Sequence, residues 1–468
     1  MRLTKLVPAV LSFLLVPPVW GRVFLRWSLE AVPAAERLGV RDLVISWDPA
    51  KLDLFRNAAR QGYRVYAQTD PGQVAAVARS AAKARITGVL INPGDSSRTS
   101  IAGGMRRLRA TYPALDFLVL NPGAVQPKMR GTMVLNRNGV LQATSPTAQP
   151  WIDTNLALVR LDQALFPGQL PVYSFSWDLS GAAKEAGPDL ADYALATAEA
   201  GAFGSAVLLS LHEPLARGLA DNEASAWSLW REEREYLRFY SGRGRRPAEP
   251  AVAVIADDDP ASFEPINLLV RHNVAVRVFS PPRVSGVELA KYPVVVALAS
   301  PTPSQVRILA DRARNGGTVV VLNLNKASYP WQSSPASQNN GTSVSFQPGT
   351  GKVIELLQPI SDPESFAQDI RALIPDNKLG LSLWNALTVI GVMYNGQTEN
   401  IVELLNYAAD PLDVQVRVKG TYTSVKLETP EHGCCVLLKP SAEDGFTEFA
   451  VPSLYISGRL HLIRKARR

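Results

Sequence analysis

Short apolar segments alternate with amphipathic helical segments along the first half of the chain. The apolar segments lie at 23–27, 43–47, 63–68, 88–91, 117–120, 172–177 and 206–211. Helical periodicity fills the intervals between them, and a final helical segment covers residues 223–240. Uninterrupted apolar strands joined by helices of about a dozen residues are typical of a parallel sheet with right-handed crossovers. The pattern predicts a TIM-like (β/α)8 barrel over residues 22–243.

The eighth strand of this barrel has a weaker pattern than the others. It would come from residues 132–143, where Asn138-Gly139 lies between two apolar stretches, as in a β-hairpin. Such a hairpin would either leave the barrel imperfect or decorate a long loop. A doubly wound open sheet is the competing architecture, but no Gly-x-Gly-x-x-Gly follows the first strand.

The pattern changes twice after the barrel. Residues 241–250 are rich in Gly, Arg and Pro and predict a linker. Residues 249–335 repeat the alternation of strand and helix on a smaller scale, which predicts a Rossmann-like α/β domain. After a polar loop at 333–350, residues 352–468 alternate with period two between turn residues. That alternation predicts an antiparallel β-sandwich.

The N-terminus has the pattern of a secretory signal peptide. Arg2 and Lys5 precede an apolar run at 6–20, and Val19 and Gly21 are small enough for the two cleavage-site positions. The run is shorter than the roughly 20 residues of a comfortable span, and no later segment is apolar for long enough. We expect residues 1–21 to be removed and the protein to be exported, to periplasm or medium, without a membrane span. An uncleaved anchor is the alternative.

Composition and charge restrict the class of protein further. Apolar residues make up 46% and charged residues 19%, as in globular domains. The net charge of +7 comes from scattered basic residues, so nucleic acid is not expected as a partner, whereas an acidic polysaccharide stays open. The only cysteines, Cys434 and Cys435, are adjacent and are not expected to pair with each other. The fold must therefore rest on buried apolar area.

The order of the three parts resembles a known arrangement. A helix ends the barrel, the sequence Ala-Val-Ala-Val-Ile at 251–255 opens the small α/β domain, and Arg-Asn-Gly-Gly-Thr-Val-Val-Val follows at 314–321. This resembles the barrel, class I glutamine-amidotransferase-like domain and β-sandwich of several glycoside hydrolases, including β-galactosidases with a trimerising middle domain. The resemblance implies an oligo- or polysaccharide partner, no cofactor, and a homo-oligomer through the middle domain.

Two departures from that arrangement bear on activity. Active glutamine amidotransferases use a cysteine, and the middle domain has none, so it should be catalytically silent. The Asn-Glu pair that common retaining barrels carry after strand four is replaced here by Asn92-Pro93-Gly94-Asp95. A second hypothesis is therefore a non-catalytic barrel that binds glycans. A third is a structural protein whose later domains drive assembly.

Candidate site residues come from the strand ends, because barrel active sites lie at the C-terminal face. Glycoside hydrolysis needs two carboxyl groups, and we predict Glu213 as the acid and Asp178 as the base or nucleophile. The other candidates for substrate binding are Arg26, Trp27, Trp47, Asp48, Asp70, Asn92, Asp95, Asp153, Trp177 and His212.

Each candidate also has a structural interpretation. Aspartates after strands often cap the next helix or form a turn, which we favour for Asp48, Asp70 and Asp153. The tryptophans would either stack on sugar rings or plug the barrel. His212 is the only histidine of the predicted barrel, so no metal site is expected there.

Overall fold

The computed structural model describes residues 19–84, 86–94, 96, 98–121, 134–137, 140–143, 154–175, 190–243, 246–386, 388–408 and 410–464. The strands of the first part are β1 Val19–Trp20, β2 Arg22–Arg26, β3 Asp42–Ser46, β4 Arg64–Thr69, β5 Gly88–Ile91, β6 Asp116–Asn121, β7 Val134–Arg137, β8 Val140–Ala143, β9 Val172–Phe175 and β10 Ala206–Ser210. Its helices are α1 Ala35–Leu38, α2 Leu52–Arg60, α3 Val74–Ala84, α4 Arg98–Thr111, α5 Leu156–Leu165, α6 Leu190–Phe203, α7 Glu213–Ala220 and α8 Ala224–Tyr240.

The first part closes into a parallel barrel, as predicted, but with seven strands rather than eight. The strand order is β10-β2-β3-β4-β5-β6-β9. β6 pairs directly with β9 through Leu120 and Val172, which leaves no gap for a further strand. The expected eighth segment instead forms the antiparallel hairpin β7–β8 outside the barrel sheet. Local turn preference at this segment therefore prevailed over the strand count that the fold class suggests.

Period-two alternation in the strands separates two apolar cores. Val23 and Leu25 face outward and pack with the surrounding helices. The residue between them, Phe24, faces inward and belongs to the core of the barrel itself. That inner core consists of Phe24, Val44, Tyr66, Leu90, Leu120, Val172, Ala206 and Leu208. Because side chains alternate between the two faces of a strand, the residues two positions before and after each inner residue also face the barrel axis.

The N-terminal end of the barrel is closed by a charged network, which we call the barrel floor. Arg22 donates to both carboxylate oxygens of Asp42, at 2.7 Å each, and Arg64 donates to Asp42 at 2.7 Å. Tyr66 donates to Asp116 at 2.8 Å and accepts from Arg22. The Asp42 side chain is only 3% exposed, so its two arginine partners are needed to offset its desolvation.

The second part is a three-layer α/β unit. Its strands are β13 Val252–Ile255, β14 Val276–Phe279, β15 Val294–Ala297, β16 Thr318–Leu322, β17 Ala336–Asn339, β18 Ser343–Phe346 and β19 Lys352–Leu356, after the short strands β11 Gly242–Arg243 and β12 Arg246–Pro247. Its helices are α9 Phe263–Arg271, α10 Gly286–Leu289, α11 Pro303–Arg314 and α12 Pro363–Ala372. The order β14-β13-β15-β16-β19-β18-β17 is parallel up to β19.

This sheet is longer than the predicted α/β segment. β19, which the sequence analysis places at the start of the sandwich, pairs in parallel with β16. Helix α12 packs beside α9 on one face of the sheet through Phe366 and Ile370, and α11 covers the other face through Leu309. The strands are buried on both faces, which explains their nearly continuous apolar sequences.

The third part is an antiparallel sandwich, as predicted. Its strands are β20 Leu381–Trp384, β21 Val389–Asn395, β22 Glu399–Asn406, β23 Leu412–Lys419, β24 Tyr422–Thr429, β25 Gly433–Leu438, β26 Ser441–Glu443, β27 Phe446–Leu454 and β28 Ser457–Arg464. They form the sheets β12-β21-β22-β28-β24-β25 and β20-β23-β27-β26, with one apolar core between them. Cys434 and Cys435 lie next to each other in the edge strand β25.

The sandwich packs against the barrel through a buried carboxylate. Glu199 of α6 accepts from Thr154 at 2.9 Å and from Tyr407 of the sandwich at 2.8 Å. The Asn155 amide groups and the Tyr173 hydroxyl of β9 also donate to Glu199. Burial, followed by the charge of Glu199, raises the pKa of Tyr407 well above its ordinary value, so its hydroxyl keeps its proton. The two domains therefore share one buried polar network.

Candidate functional site

The C-terminal end of the barrel carries a ring of polar side chains on its inner face, which we call the mouth residues. Each lies two positions after an inward-facing apolar residue of the same strand, and so points toward the barrel axis. Ser46 is exposed, and the others are half-buried, so the ring is open to solvent. The mouth residues are Arg26, Ser46, Gln68, Asn92, Ser174 and Ser210.

Several polar atoms of this ring are buried without a partner. The Nε of Arg26, the Oε1 of Gln68 and the Oγ of Ser210 make no hydrogen bond to the part of the chain that the structure describes. Arg26 and Ser210 are register partners on the adjacent strands β2 and β10, so their unused atoms lie on neighbouring strands. Buried polar groups are normally paired, and such a cluster of unpaired ones is typical of a ligand site.

Arg26 is the strongest charge within this ring. Burial lowers the pKa of Arg26, yet its guanidinium remains protonated at any physiological pH. Arg22, two inward positions earlier on the same strand, is fully engaged by Asp42 and Tyr66. At one end of β2 the inward arginine is therefore paired with protein side chains. At the other end, the Nε of the inward arginine has no partner among the described residues.

Three of the carboxylates that we predicted as site residues are described by the structure. They lie on the rim of the barrel mouth rather than inside the ring. Glu213 is the first residue of α7, has a side chain 68% exposed, and forms an ion pair with Arg217. Asp48 caps the 3₁₀ helix Pro49–Lys51 by accepting from the Ala50 amide at 2.9 Å. Asp70 is exposed at the start of the next 3₁₀ helix, Pro71–Gln73, and its side chain makes no capping bond.

The predicted aromatic contacts differ in their accessibility. Trp27 is 2% exposed, packs among the outer helices and donates from Nε1 to the Ala31 carbonyl at 3.0 Å. No face of its ring is open to a ligand, and it does not plug the barrel interior either. Trp47 is half-buried, edge-on to Phe55 at 5.6 Å between ring centroids. His212 is half-buried at the start of α7, and its backbone amide donates to the Tyr193 hydroxyl at 2.8 Å.

Four predicted site residues lie outside the described residues: Asp95, Asp153, Trp177 and Asp178. The strands that lead to the predicted catalytic pair are nevertheless described. β9 and β10 are paired neighbours in parallel register, with Leu209 opposite Phe175. Asp178 follows β9 by three positions and Glu213 follows β10 by three positions.

The sequence analysis selected Arg26 and Asn92 but not Ser46, Gln68, Ser174 or Ser210. These are short polar residues inside or just after apolar strands, where they carry no motif. Their signal was the strand period: counting in twos from the inward Phe24 or Tyr66 leads directly to Arg26 and Gln68. That count requires knowing which face is inside, which the structure supplies.

The described residues contain no group of three or more His, Cys, Asp or Glu side chains arranged to hold a metal ion. Within that same part of the chain, no helix combines the length and apolar character needed to cross a bilayer.

Comparison with known proteins gives a fold but no family. No protein-family model and no curated protein matches the chain. Among solved structures, the chain is similar to α-L-fucosidase isoenzyme 2 from Paenibacillus thiaminolyticus, with a TM-score of 0.60 and 11% identity, covering 95% of this chain and 100% of that one. It is also similar to Gan42B, a GH42 β-galactosidase from G. stearothermophilus (TM-score 0.48, 10% identity, 84% and 69% covered).

A rhamnosidase from Novosphingobium sp. PP1Y is similar as well, with a TM-score of 0.44, 12% identity, and 89% and 40% of the two chains covered. At 11% identity, the similarity to the fucosidase establishes a shared fold over 95% of this chain and says nothing of the reaction.

Proposed function

We propose that this chain is an exported carbohydrate-active protein, a glycoside hydrolase that binds an oligo- or polysaccharide at the barrel mouth. The observation that supports this most directly is the open ring of mouth residues, in which atoms of Arg26, Gln68 and Ser210 have no partner among the described residues. Sugars present many hydroxyl groups, which both donate and accept, and such a ring matches them. The ring lies at the barrel end where enzymes of this fold class perform their chemistry.

Asp178 and Glu213 are the proposed catalytic pair. Neighbouring strands lie about 5 Å apart, and two carboxyl groups that follow the same ends of β9 and β10 can reach the roughly 5–10 Å that glycoside hydrolysis uses. Glu213 would protonate the leaving oxygen, and Asp178 would act as base or nucleophile. Substrate contacts come from the mouth residues and, on the rim, from Trp47, Asp70 and His212. The chemistry requires no cofactor.

A second candidate function is glycan binding without hydrolysis. It is favoured by the state of Glu213, whose side chain is 68% exposed and paired with Arg217. A general acid in a glycosidase lies in a partly desolvated pocket that faces the substrate, whereas this side chain lies mostly in solvent. In addition, none of the mouth residues is a carboxylate. In this case the barrel would retain the ring and lack the acid.

Hydrolysis of a panel of aryl-glycosides and polysaccharides tests the proposal. We expect Asp178→Asn and Glu213→Gln each to lower kcat/KM by at least about 100-fold, the usual contribution of a general acid or base. Asp221→Asn is the matched control, because Asp221 is an exposed carboxylate at the other end of α7. That variant should retain full activity.

Three other results are informative. Hydrolysis that survives both substitutions would transfer the catalytic role to Asp95 or Asp153. Glycan binding without hydrolysis of any substrate would establish the second candidate. A wild-type protein that neither binds nor hydrolyses any glycan would refute the proposed function.

We also propose that the second domain is a catalytically silent, glutamine-amidotransferase-like unit that forms a homo-oligomer. Its support is the parallel order β14-β13-β15-β16-β19 together with the absence of cysteine between residues 249 and 335. Sedimentation of the full chain should give more than one copy per particle. A monomer at micromolar concentration would contradict the oligomer.

A further inference from the structure

Arg26 occupies a position where a positive charge is costly. It ends β2 on the inner face of the barrel, beside Ser210 of β10. Its side chain is half-buried, and its Nε is completely enclosed without a hydrogen-bond partner in the described residues. Partial removal of a guanidinium from water costs free energy unless another group pairs with it.

The chain compensates its other inward arginine on this strand fully. Arg22 has two bonds of 2.7 Å to Asp42 and a further one to Tyr66. The described part of the chain offers Arg26 no carboxylate: Glu213, on the nearby rim, is engaged with Arg217. Among the described residues, Arg22 at one end of β2 is paired and Arg26 at the other end is not, which leaves the Arg26 guanidinium available to a ligand.

The neighbouring unpartnered atoms specify what that ligand carries. A guanidinium has only donors and binds a carboxylate or sulfate through two parallel hydrogen bonds. The Ser210 hydroxyl can donate to the same anion, whereas the Gln68 Oε1 only accepts and needs a donor such as a sugar hydroxyl. An anionic group and a hydroxyl on one molecule satisfy all three residues.

We infer that the barrel mouth recognises acidic glycans, with Arg26 as the residue that binds the carboxylate or sulfate group of one sugar unit. This rests on the proposed function, since it assigns the substrate class of the same site. Arg26 determines specificity here and takes no part in bond cleavage. The half-buried setting strengthens the ion pair relative to one in bulk water, and dissolved salt weakens it only in part.

The test measures binding to the full-length protein by calorimetry, with pairs of oligosaccharides that differ only in charge. One pair is an oligogalacturonate and its methyl ester, and the other is a sulfated galactan oligosaccharide and its desulfated form. We expect wild type to bind at least one acidic member about tenfold or more tightly than its neutral counterpart. Which pair shows the preference distinguishes carboxylate from sulfate.

Two variants assign that preference. Arg26→Gln should remove it by lowering the affinity for the acidic member about tenfold or more beyond any loss for the neutral member, and its melting temperature should not fall, because a partly desolvated charge is lost. Arg41→Gln makes the same charge change at an exposed position just before β3, at the opposite end of the barrel, and should retain the preference.

The inference and the proposed function can fail separately. Equal binding of acidic and neutral members, or a preference that persists in Arg26→Gln, would overturn the inference and leave the proposed function intact. If no oligosaccharide of either kind binds or is hydrolysed, the proposed function fails and the inference with it.

Discussion

Glu233 is a buried carboxyl group whose pKa is strongly raised. It lies on α8 with no exposed surface, and only the Thr197 hydroxyl donates to it, at 2.6 Å. Its other oxygen has no partner among the described residues. Burial raises the pKa of Glu233 from 4.5 to about 8. The group is thus protonated in the folded protein near neutral pH and ionised when the chain unfolds.

That shift makes stability depend on pH in a definite direction. Between pH 4.5 and about 8 the folded state binds one proton more than the unfolded state, so stability falls as pH rises through this range. We expect Glu233→Gln, which cannot ionise, to remove this decline. The gap between variant and wild type should grow by about 3–5 kcal/mol from pH 5 to pH 8. Denaturant unfolding at several pH values measures it.

Glu232→Gln is the control for this prediction, because Glu232 is the exposed neighbour on the same helix. Its unfolding curve should parallel that of wild type at every pH. A constant offset between Glu233→Gln and wild type from pH 5 to pH 8 would show that Glu233 does not titrate as described.

At the scale of elements, helices α6 and α8 approach unusually closely. A Cβ added at Gly201 of α6 would lie 2.1 Å from the Cδ1 of Tyr240 on α8. Tyr240 is only 5% exposed and has no free direction in which to move. Glycine is therefore required at this helix crossing for space rather than for backbone freedom.

Gly201→Ala sets two effects of opposite sign against each other. Alanine stabilises a helix interior by up to about 1 kcal/mol over glycine, whereas overpacking a core costs roughly 1–3 kcal/mol. Since the overlap with the Tyr240 ring is severe, we expect a net loss of about 1–2 kcal/mol, seen as a lower melting temperature. Gly104→Ala in α4 has nothing within 4 Å of the added atom and should stabilise the protein instead. Equal effects at the two sites would contradict this explanation.

Most of the strands and helices could be predicted from the sequence pattern, and two strands could not. The barrel strands and helices followed from their period, because buried parallel strands and amphipathic helices leave unambiguous patterns. The prediction of an eighth barrel strand was wrong because its residues form their backbone hydrogen bonds locally, in the hairpin β7–β8. The place of β19 in the second sheet could not be inferred, since its pairing with β16 is nonlocal and its sequence alternates like a sandwich strand.

At the scale of the whole molecule, the polar network around Glu199 connects the barrel to the sandwich. Tyr407→Phe removes one of the hydrogen-bond donors to the buried Glu199 carboxylate. We expect a loss of about 1–3 kcal/mol. A double-mutant cycle with Glu199→Gln should show an interaction energy of at least about 1 kcal/mol, and calorimetry should show weaker coupling between domain transitions.

Tyr422→Phe is the matched control for that cycle. The Tyr422 hydroxyl is also buried, but it bonds to Asn400 and Lys419 within the sandwich. This variant should weaken the sandwich without separating its unfolding from that of the barrel. If both variants have the same effect on the coupling, the Glu199 network does not join the domains.

The candidate site was only partly predictable from sequence. Strand ends gave Arg26 and Asn92, since a parallel barrel gathers them at one face. The sequence could not tell that Trp27 would turn outward and be buried, because this depends on which strand face meets the helices. Nor could it tell that Arg22 is paired while Arg26 has no partner for its Nε in the described part of the chain, since the partner of Arg22 comes from another strand.

The barrel floor has a consequence for how this protein can change. Asp42 forms ion pairs with both Arg22 and Arg64 at the end of the barrel farthest from the proposed ligand, so that end anchors the fold independently of what is bound. Substitutions at Gln68 or Ser210 remove side-chain atoms that are buried without a partner among the described residues, so they should cost little stability. A designer or natural selection could thus exchange the mouth residues to reach new ligands while the floor preserves the scaffold.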